Sequence, residues 1–259
     1  MKTVNVKEGL PLSEILRKYP ESIRPYLKSL DPPKIDLKNK TALATYNKII
    51  AKEVLGIELN FPLKGLIPAV MSRLEFVKLT VKPQEIVLDV GTGSSAICAI
   101  IAAKYLDARE VYATEMIEEN YEYAKRNIIQ NSLQKKIHLL KSSGEVIEGV
   151  VPENLNFDAI ISNPPYLPSK TKLSDKKFGG SAEELIGGGR AGAEFSLKIV
   201  EEGAYRLNKN GRIGLIIPMK KKEISENIKR RMEKEKLDTQ LIRLVTGNRE
   251  RLLIIGTKN

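Results

Sequence analysis

Two apolar runs near the end of the chain, TQLIRLV and RLLIIGTK, are separated by little more than the turn-like TGNR. A parallel crossover needs a dozen or more residues, so these strands must be antiparallel neighbours or lie apart. The constraint is sharp because everything from residue 85 reads as strand alternating with helix. EIVLDV (85–90), EVYATE (110–115), KIHLLKS (136–142), FDAIISN (157–163) and GRIGLIIP (211–218) are the earlier strands. Between them come SSAICAIIAAKYL and the helical stretches 117–131, 194–207 and 220–236. The pattern predicts an α/β, Rossmann-like fold: a mostly parallel seven-stranded sheet whose last strand is reversed.

Residues 1–80 have a different texture. PLSEILRKYPESIRPYLKSL carries apolar residues at helical spacing and ends at DPPK, and NKTALATYNKIIAKEVLGI is a second helical stretch with Thr41 as its N-cap. We therefore expect a helical N-terminal extension over 1–80 and a separate domain over 81–259. Charge divides along similar lines. Residues 1–80 hold 14 Lys and Arg against 8 Asp and Glu, 81–159 hold 8 against 12, and 160–259 hold 21 against 12, within a net charge of +11. An acidic middle between basic flanks suits one small-molecule site beside a surface for a polyanion, and assigns nucleic-acid binding to the extension.

Other function classes are excluded early. The longest apolar run, AICAIIAA, is far too short to span a bilayer, and the start lacks the h-region of a signal peptide, so a cytoplasmic protein with no membrane partner is expected. A single cysteine, Cys98, and a single histidine, His138, leave no metal cluster and no Ser-His-Asp triad. Both read as packing or surface residues.

The stretch LDVGTGSSA places Gly91, Thr92 and Gly93 between the first strand and its helix, with Asp89 just ahead. Glycines there admit a ligand close to the backbone, and a carboxylate ending the second strand, Glu115, can accept both hydroxyls of an adenosine ribose. This much fits a nicotinamide dinucleotide or S-adenosylmethionine. The acidic residue before the glycines, the reversed last strand and the motif ending strand four favour S-adenosylmethionine.

That motif is NPPY, Asn163 to Tyr166. Two prolines stop the ladder and stiffen the exit from the strand. The Asn163 side-chain carbonyl and the Pro164 backbone carbonyl are two acceptors that suit a planar NH₂ group. Pro165 stiffens the turn, and Tyr166 offers a face for stacking. The chemistry is methyl transfer to an amide-like or adenine-like nitrogen.

DVGTGSS, ATE and NPPY in this order resemble class I methyltransferases acting on a planar amine. LRKYPESIRPYL, GLIPAVMSRLEFV, ATEMIEENYEYAKRNIIQNSL, GGSAEELIGGGRAGAEF and TGNRERLLIIGTK extend the resemblance over nearly the whole chain, to the family of methyltransferase-like protein 16 and ribosomal large-subunit methyltransferase F. It implies adenine-N6 methylation of a structured RNA. It also implies that Arg73, Gly91, Ser95, Glu115 and Asn163 lie at the cofactor, and that Asn163, Pro164, Pro165 and Tyr166 hold the adenine. The family often has Phe where Tyr166 stands. In the long loop 167–193, Lys170, Lys172, Lys176, Lys177 and Arg190 are candidate RNA contacts. Two other readings stay open: a protein glutamine-N5 methyltransferase of the release-factor type, which also carries NPPY, and a catalytically silent RNA-binding subunit.

Overall fold

The computed structural model describes residues 1–7, 9–172 and 180–259. In chain order the elements are β1 (Lys2–Asn5), α1 (Leu12–Lys18), α2 (Pro20–Ile23), a 3₁₀ turn (Arg24–Tyr26), β2 (Leu27–Leu30), β3 (Pro33–Ile35), α3 (Lys40–Leu55) and α4 (Val70–Thr80). The second part holds β4 (Ile86–Val90), α5 (Ile97–Ile100) running on as a π-helical turn (Ile101–Tyr105), β5 (Glu110–Glu115), α6 (Glu118–Gln130), β6 (Ile137–Lys141) and β7 (Phe157–Ser162). Then come α7 (Ala182–Leu185), α8 (Glu194–Tyr205), β8 (Leu207–Pro218), α9 (Lys222–Lys234), β9 (Leu237–Thr246) and β10 (Arg249–Lys258).

The sheet runs β1-β9-β10-β8-β7-β4-β5-β6. Strands β4, β5, β6, β7 and β8 pair in parallel, while β10 is antiparallel to both β8 and β9. All seven expected strands are present, with the last one reversed. The eighth is β1, which pairs in parallel with β9 (Val4 opposite Leu244). Residues 1–80 are thus not purely helical. They contribute an edge strand to the main sheet and a β2–β3 hairpin where a helix and a proline stop were expected. The α3 cap also moves: Asn39, not Thr41, is the N-cap, accepting from the Thr41 and Ala42 N–H groups at 2.9 and 3.1 Å. Asparagine reaches the second and third amides from an extended residue better than threonine does from inside the helix.

Each strand of the parallel part is covered on both faces, so its residues alternate between two cores. Val87, Ala159 and Ile161 face the side of α3, α4 and α5, where Ile15, Ile23 and Ile50 of the extension join the same apolar cluster. Leu88, Ile160, Ile213 and Ile217 face the side of α8 and α9. The parallel strands all end at one edge, with the glycine loop after β4, Glu115 after β5 and NPPY after β7. The reversed β10 brings its N-terminal end to that edge too, since Arg251 lies opposite Pro218, the last residue of β8.

Candidate active site

The glycine loop is held from below and from one side. Asp89 is 2 % exposed, and its carboxylate accepts from the Thr92 hydroxyl at 2.6 Å and the Ala99 N–H at 3.2 Å. Burial lifts its pKa from 3.8 to about 6, against those hydrogen bonds and the nearby Arg73, which pull it down. Asp89 therefore shapes the turn from beneath; what it offers a ligand is the form of the loop. Gly91 and Gly93 both have φ near +70°, a region where a side chain would be strained. The Gly91 N–H bonds to the Thr114 hydroxyl at 3.2 Å, and the Thr92 N–H to the Thr114 carbonyl at 2.9 Å.

Glu115 faces the loop from the end of β5. One carboxylate oxygen accepts from the Gly93 N–H at 2.9 Å and the other from the Ile117 N–H at 2.8 Å. The residue is 6 % exposed, and desolvation raises its pKa against those backbone bonds. Each oxygen keeps a further lone pair, so the carboxylate can still accept ribose hydroxyls. Ser95 is buried, and its hydroxyl accepts from the Ile97 N–H at 3.4 Å.

The other half of the crevice is built differently. Asn163 is half-buried, and among the described residues neither its side chain nor the Pro164 carbonyl takes part in a hydrogen bond. The Arg73 guanidinium likewise has no hydrogen bond or ion pair there. Burial pushes its pKa down, and the charges it feels are those of Cys98, Arg251, Asp89 and Tyr166. Arg73 and Arg251 thus bring to the edge where NPPY sits two cations that form no ion pair among the described residues, with Asp89 the anion nearest in effect to Arg73. Cys98, 5 % exposed, is a packing residue whose thiol burial renders inert. His138 is more than a surface residue: half-buried on β6, its ring stacks on Tyr112 at 4.6 Å.

NPPY is backed by the returning part of the following loop. The Tyr166 and Leu167 N–H groups both donate to the Leu185 carbonyl, at 3.1 and 2.9 Å, and the Gly187 N–H returns to the Leu167 carbonyl at 2.9 Å. A Cβ on Gly187 would lie 2.3 Å from the Pro165 carbonyl oxygen, so only glycine allows this approach. Ser181 and Glu184 form a capping box on α7. Glu184 also accepts from the Leu66 N–H at 3.4 Å and from Asn120 at 3.2 Å, tying the returning segment to the lead-in before α4 and to α6. Phe195 at the start of α8 lies across from Gly91, about a van der Waals contact from where its Cβ would be (3.9 Å).

Asp89, Gly91, Thr92, Gly93, Ser95 and Glu115 are thus gathered at the ends of β4 and β5 and Asn163, Pro164, Pro165 and Tyr166 just past β7, with Arg73 within electrostatic range of both Asp89 and Tyr166. Lys170, Lys172 and Arg190 are exposed on the surrounding loop; Lys176 and Lys177 lie outside the described residues. Sequence reading missed Glu184, Phe195 and Arg251. The serine three residues before Glu184 was a legible capping signal, but nothing in the sequence tied Arg251 to residue 73. Among the described residues no group of His, Cys, Asp or Glu is placed to hold a metal ion, and no helix is long and apolar enough to cross a membrane.

A family model described as RNA methyltransferase matches residues 9–181. The chain belongs to this RNA methyltransferase family. It is 40 % identical to a protein of Methanocaldococcus jannaschii that bears a methyltransferase name, over 96 % of this chain and 99 % of that one. The crystal structure of a Pyrococcus furiosus methyltransferase superposes with a TM-score of 0.73 at 35 % identity, covering 86 % of this chain and 99 % of the other. The METTL16 catalytic domain in complex with a MAT2A 3'UTR hairpin gives a TM-score of 0.82 at 19 % identity, covering 95 % and 91 %. Partial matches reach a release factor glutamine methyltransferase of Rhodopirellula baltica (32 % identity, 52 % of this chain and 45 % of that one). They also reach the RNA N(6)-adenosine-methyltransferase mettl16 of Danio rerio (27 %, 52 % and 30 %). The chain therefore spans less than half the length of these two relatives. Its cofactor is S-adenosylmethionine, and a human METTL16 domain of the same fold has been solved with SAH. The residues present fit that cofactor: a carboxylate with spare acceptor capacity beside the glycine loop, and an arginine that forms no ion pair among the described residues.

Proposed function

We propose that the protein transfers a methyl group from S-adenosylmethionine to the N6 amine of an adenine in RNA. The observation that carries this reading is the pair of acceptors, Asn163 side chain and Pro164 carbonyl, that have no donor among the described residues, while Asp89, Thr92, Thr114 and Glu115 hold the glycine loop through hydrogen bonds. The cofactor, when bound, supplies an electrophilic methyl on a sulfonium and an uncharged leaving group. Asn163 and Pro164 accept hydrogen bonds from the two N–H groups of the amine. They favour the pyramidal nitrogen that forms as its lone pair attacks, so they stabilise the transition state more than the ground state. The extra proton is released to water once the nitrogen carries the methyl group, when its acidity is high, so no strong base is needed first. Tyr166 provides the stacking face. Glu115 takes the ribose, and Arg73 takes the cofactor carboxylate or a neighbouring phosphate.

RNA is favoured over a protein glutamine by the match of two thirds of the chain to an RNA methyltransferase model and by the basic flanks, including the exposed Lys170, Lys172 and Arg190. Residues 1–80, with 14 Lys and Arg against 8 Asp and Glu, share in RNA binding in this reading. A cytoplasmic setting suits a chain whose single cysteine is buried and unpaired. Incubation with methyl-labelled cofactor and, separately, total RNA or release factor tests the reading. Label in RNA, recovered as N6-methyladenosine after digestion, is expected. Label confined to a release-factor glutamine would replace this reading with the glutamine one, and cofactor binding with no transfer to either would make the protein a silent subunit.

A further inference from the structure

Residues 57–61 pass between α3 and the lead-in to α4 as an extended strap that belongs to no sheet. Ile57, Leu59 and Phe61 are buried at 0, 4 and 5 % exposure, so the alternate residues Glu58 and Asn60 turn the other way. Their backbone groups need partners, and two asparagines supply most of them, with Gln130 adding a second donor to the Glu58 carbonyl at 2.7 Å. Asn131, at the C-cap of α6, accepts from the Glu58 N–H at 3.0 Å and donates to the Glu58 carbonyl at 2.7 Å. One turn earlier, Asn127 accepts from the Asn60 N–H at 2.7 Å and donates to the Asn60 carbonyl at 2.6 Å. The spacings match: four helical residues rise about 6 Å, and two residues of extended chain about 6.6 Å. Side-chain carboxamides on a helix thus stand in for the peptide groups of a neighbouring strand.

The two rungs differ in one respect. The Asn127 amide nitrogen also donates to the Ser94 carbonyl at 2.9 Å and approaches the Ser95 carbonyl at 3.4 Å, both in the glycine loop. Asn131 has its second contact on its own helix instead, at the Asn127 carbonyl. A single carboxamide, 0 % exposed, therefore joins the strap of the extension to the loop that faces the cofactor. The strap leads on to Lys64 and Leu66, which hold the returning loop through the Gly180 N–H at 3.0 Å and Glu184 at 3.4 Å.

We infer that Asn127 is a positioning residue for cofactor binding: it sets the Ser94–Ser95 carbonyls, and through Asn60 it couples the extension to the glycine loop. Coupling of this kind is reciprocal, so the cofactor firms the strap as much as the strap firms the cofactor site. The inference uses only the cofactor, so its test needs no acceptor and fails or succeeds apart from the adenine reading.

S-adenosylhomocysteine is titrated into wild-type protein, Asn127→Ala and Asn131→Ala, with melting temperatures recorded alongside. Each variant loses one rung, so both should melt lower. Asn127→Ala should weaken the ligand about tenfold, the worth of one or two buried hydrogen bonds, whereas Asn131→Ala should stay within about twofold of wild type. In methyl transfer, the same split should appear as a raised KM for the cofactor with kcat little changed. Equal ligand affinity in Asn127→Ala and wild type, or equal weakening in both variants, would overturn the inference. Wild-type protein gives a second readout if Asn127→Ala does not fold. S-adenosylhomocysteine should slow hydrogen exchange at the Asn60 amide more than at Glu58, and equal slowing would count against the coupling.

Discussion

The two halves of the crevice use their polar groups in opposite ways. At the cofactor end, Asp89 accepts from Thr92, Thr114 from Gly91, and Glu115 from Gly93 and Ile117, so the loop is held by the protein's own hydrogen bonds. At the acceptor end, Asn163, Pro164 and Arg73 have no such partners among the described residues. Leaving polar groups half-buried and unpaired costs stability, and the cost is repaid only when a ligand provides the missing donors or charges. The first half is preorganised architecture, and the second is a set of contacts held in reserve for substrate.

The contrast breaks most visibly at Asn163. Asn163→Ala is expected to lower kcat by roughly 10²–10³-fold, as loss of one oxyanion-hole donor does elsewhere, while cofactor affinity holds. Parallel loss of both in a titration and a turnover assay would mean that Asn163 belongs to the cofactor half instead. Asp89 tests the preorganised half through pH. Its folded pKa of about 6 stands above the unfolded 3.8, so its stabilising contribution is complete below the lower value and is lost as pH rises through the upper one. Asp89→Asn keeps an acceptor for Thr92 and Ala99 without the charge. Above pH 6 it should be more stable than wild type by up to about 3 kcal/mol, a gain that disappears below about pH 4. Parallel melting curves across that range would show that Asp89 is not strained by burial. The smallest effect sharpens the acceptor half: Tyr166→Ala should cost about 1–3 kcal/mol in acceptor affinity, with Tyr166→Phe close to wild type. A large loss in the phenylalanine variant would give the hydroxyl a part that stacking does not explain.

What the sequence revealed divides along similar lines. The strands of the parallel sheet and the reversed β10 were legible because burial on both faces makes continuous apolar runs, and the motifs were legible because each sits at a strand end. β1 was not, since four residues with Val4 as the single apolar one carry no strand signal, and their partner β9 lies at the other end of the chain. The β2–β3 hairpin was hidden by apolar spacing that suits a helix equally well. Nor does any periodicity announce Asn127 against Asn60, a pairing of side chain with backbone across 67 residues. The same holds for Arg251, whose charge comes within range of Arg73 only because β10 runs backwards. Chemistry carried by local motifs could be read directly, whereas contacts created by topology required the fold.

The central claim, that Asn163 and Pro164 wait for the two protons of an adenine amine, is tested most directly by removing that amine. The affinities of an adenine-containing RNA oligomer and of the same oligomer with purine at each adenine, which lacks the exocyclic NH₂, are compared in wild type and in Asn163→Ala. Wild type should prefer adenine by about 1–3 kcal/mol, the worth of leaving buried acceptors unpaired, and Asn163→Ala should lose most of that preference. An adenine preference of the same size in both proteins would show that the amine is recognised elsewhere.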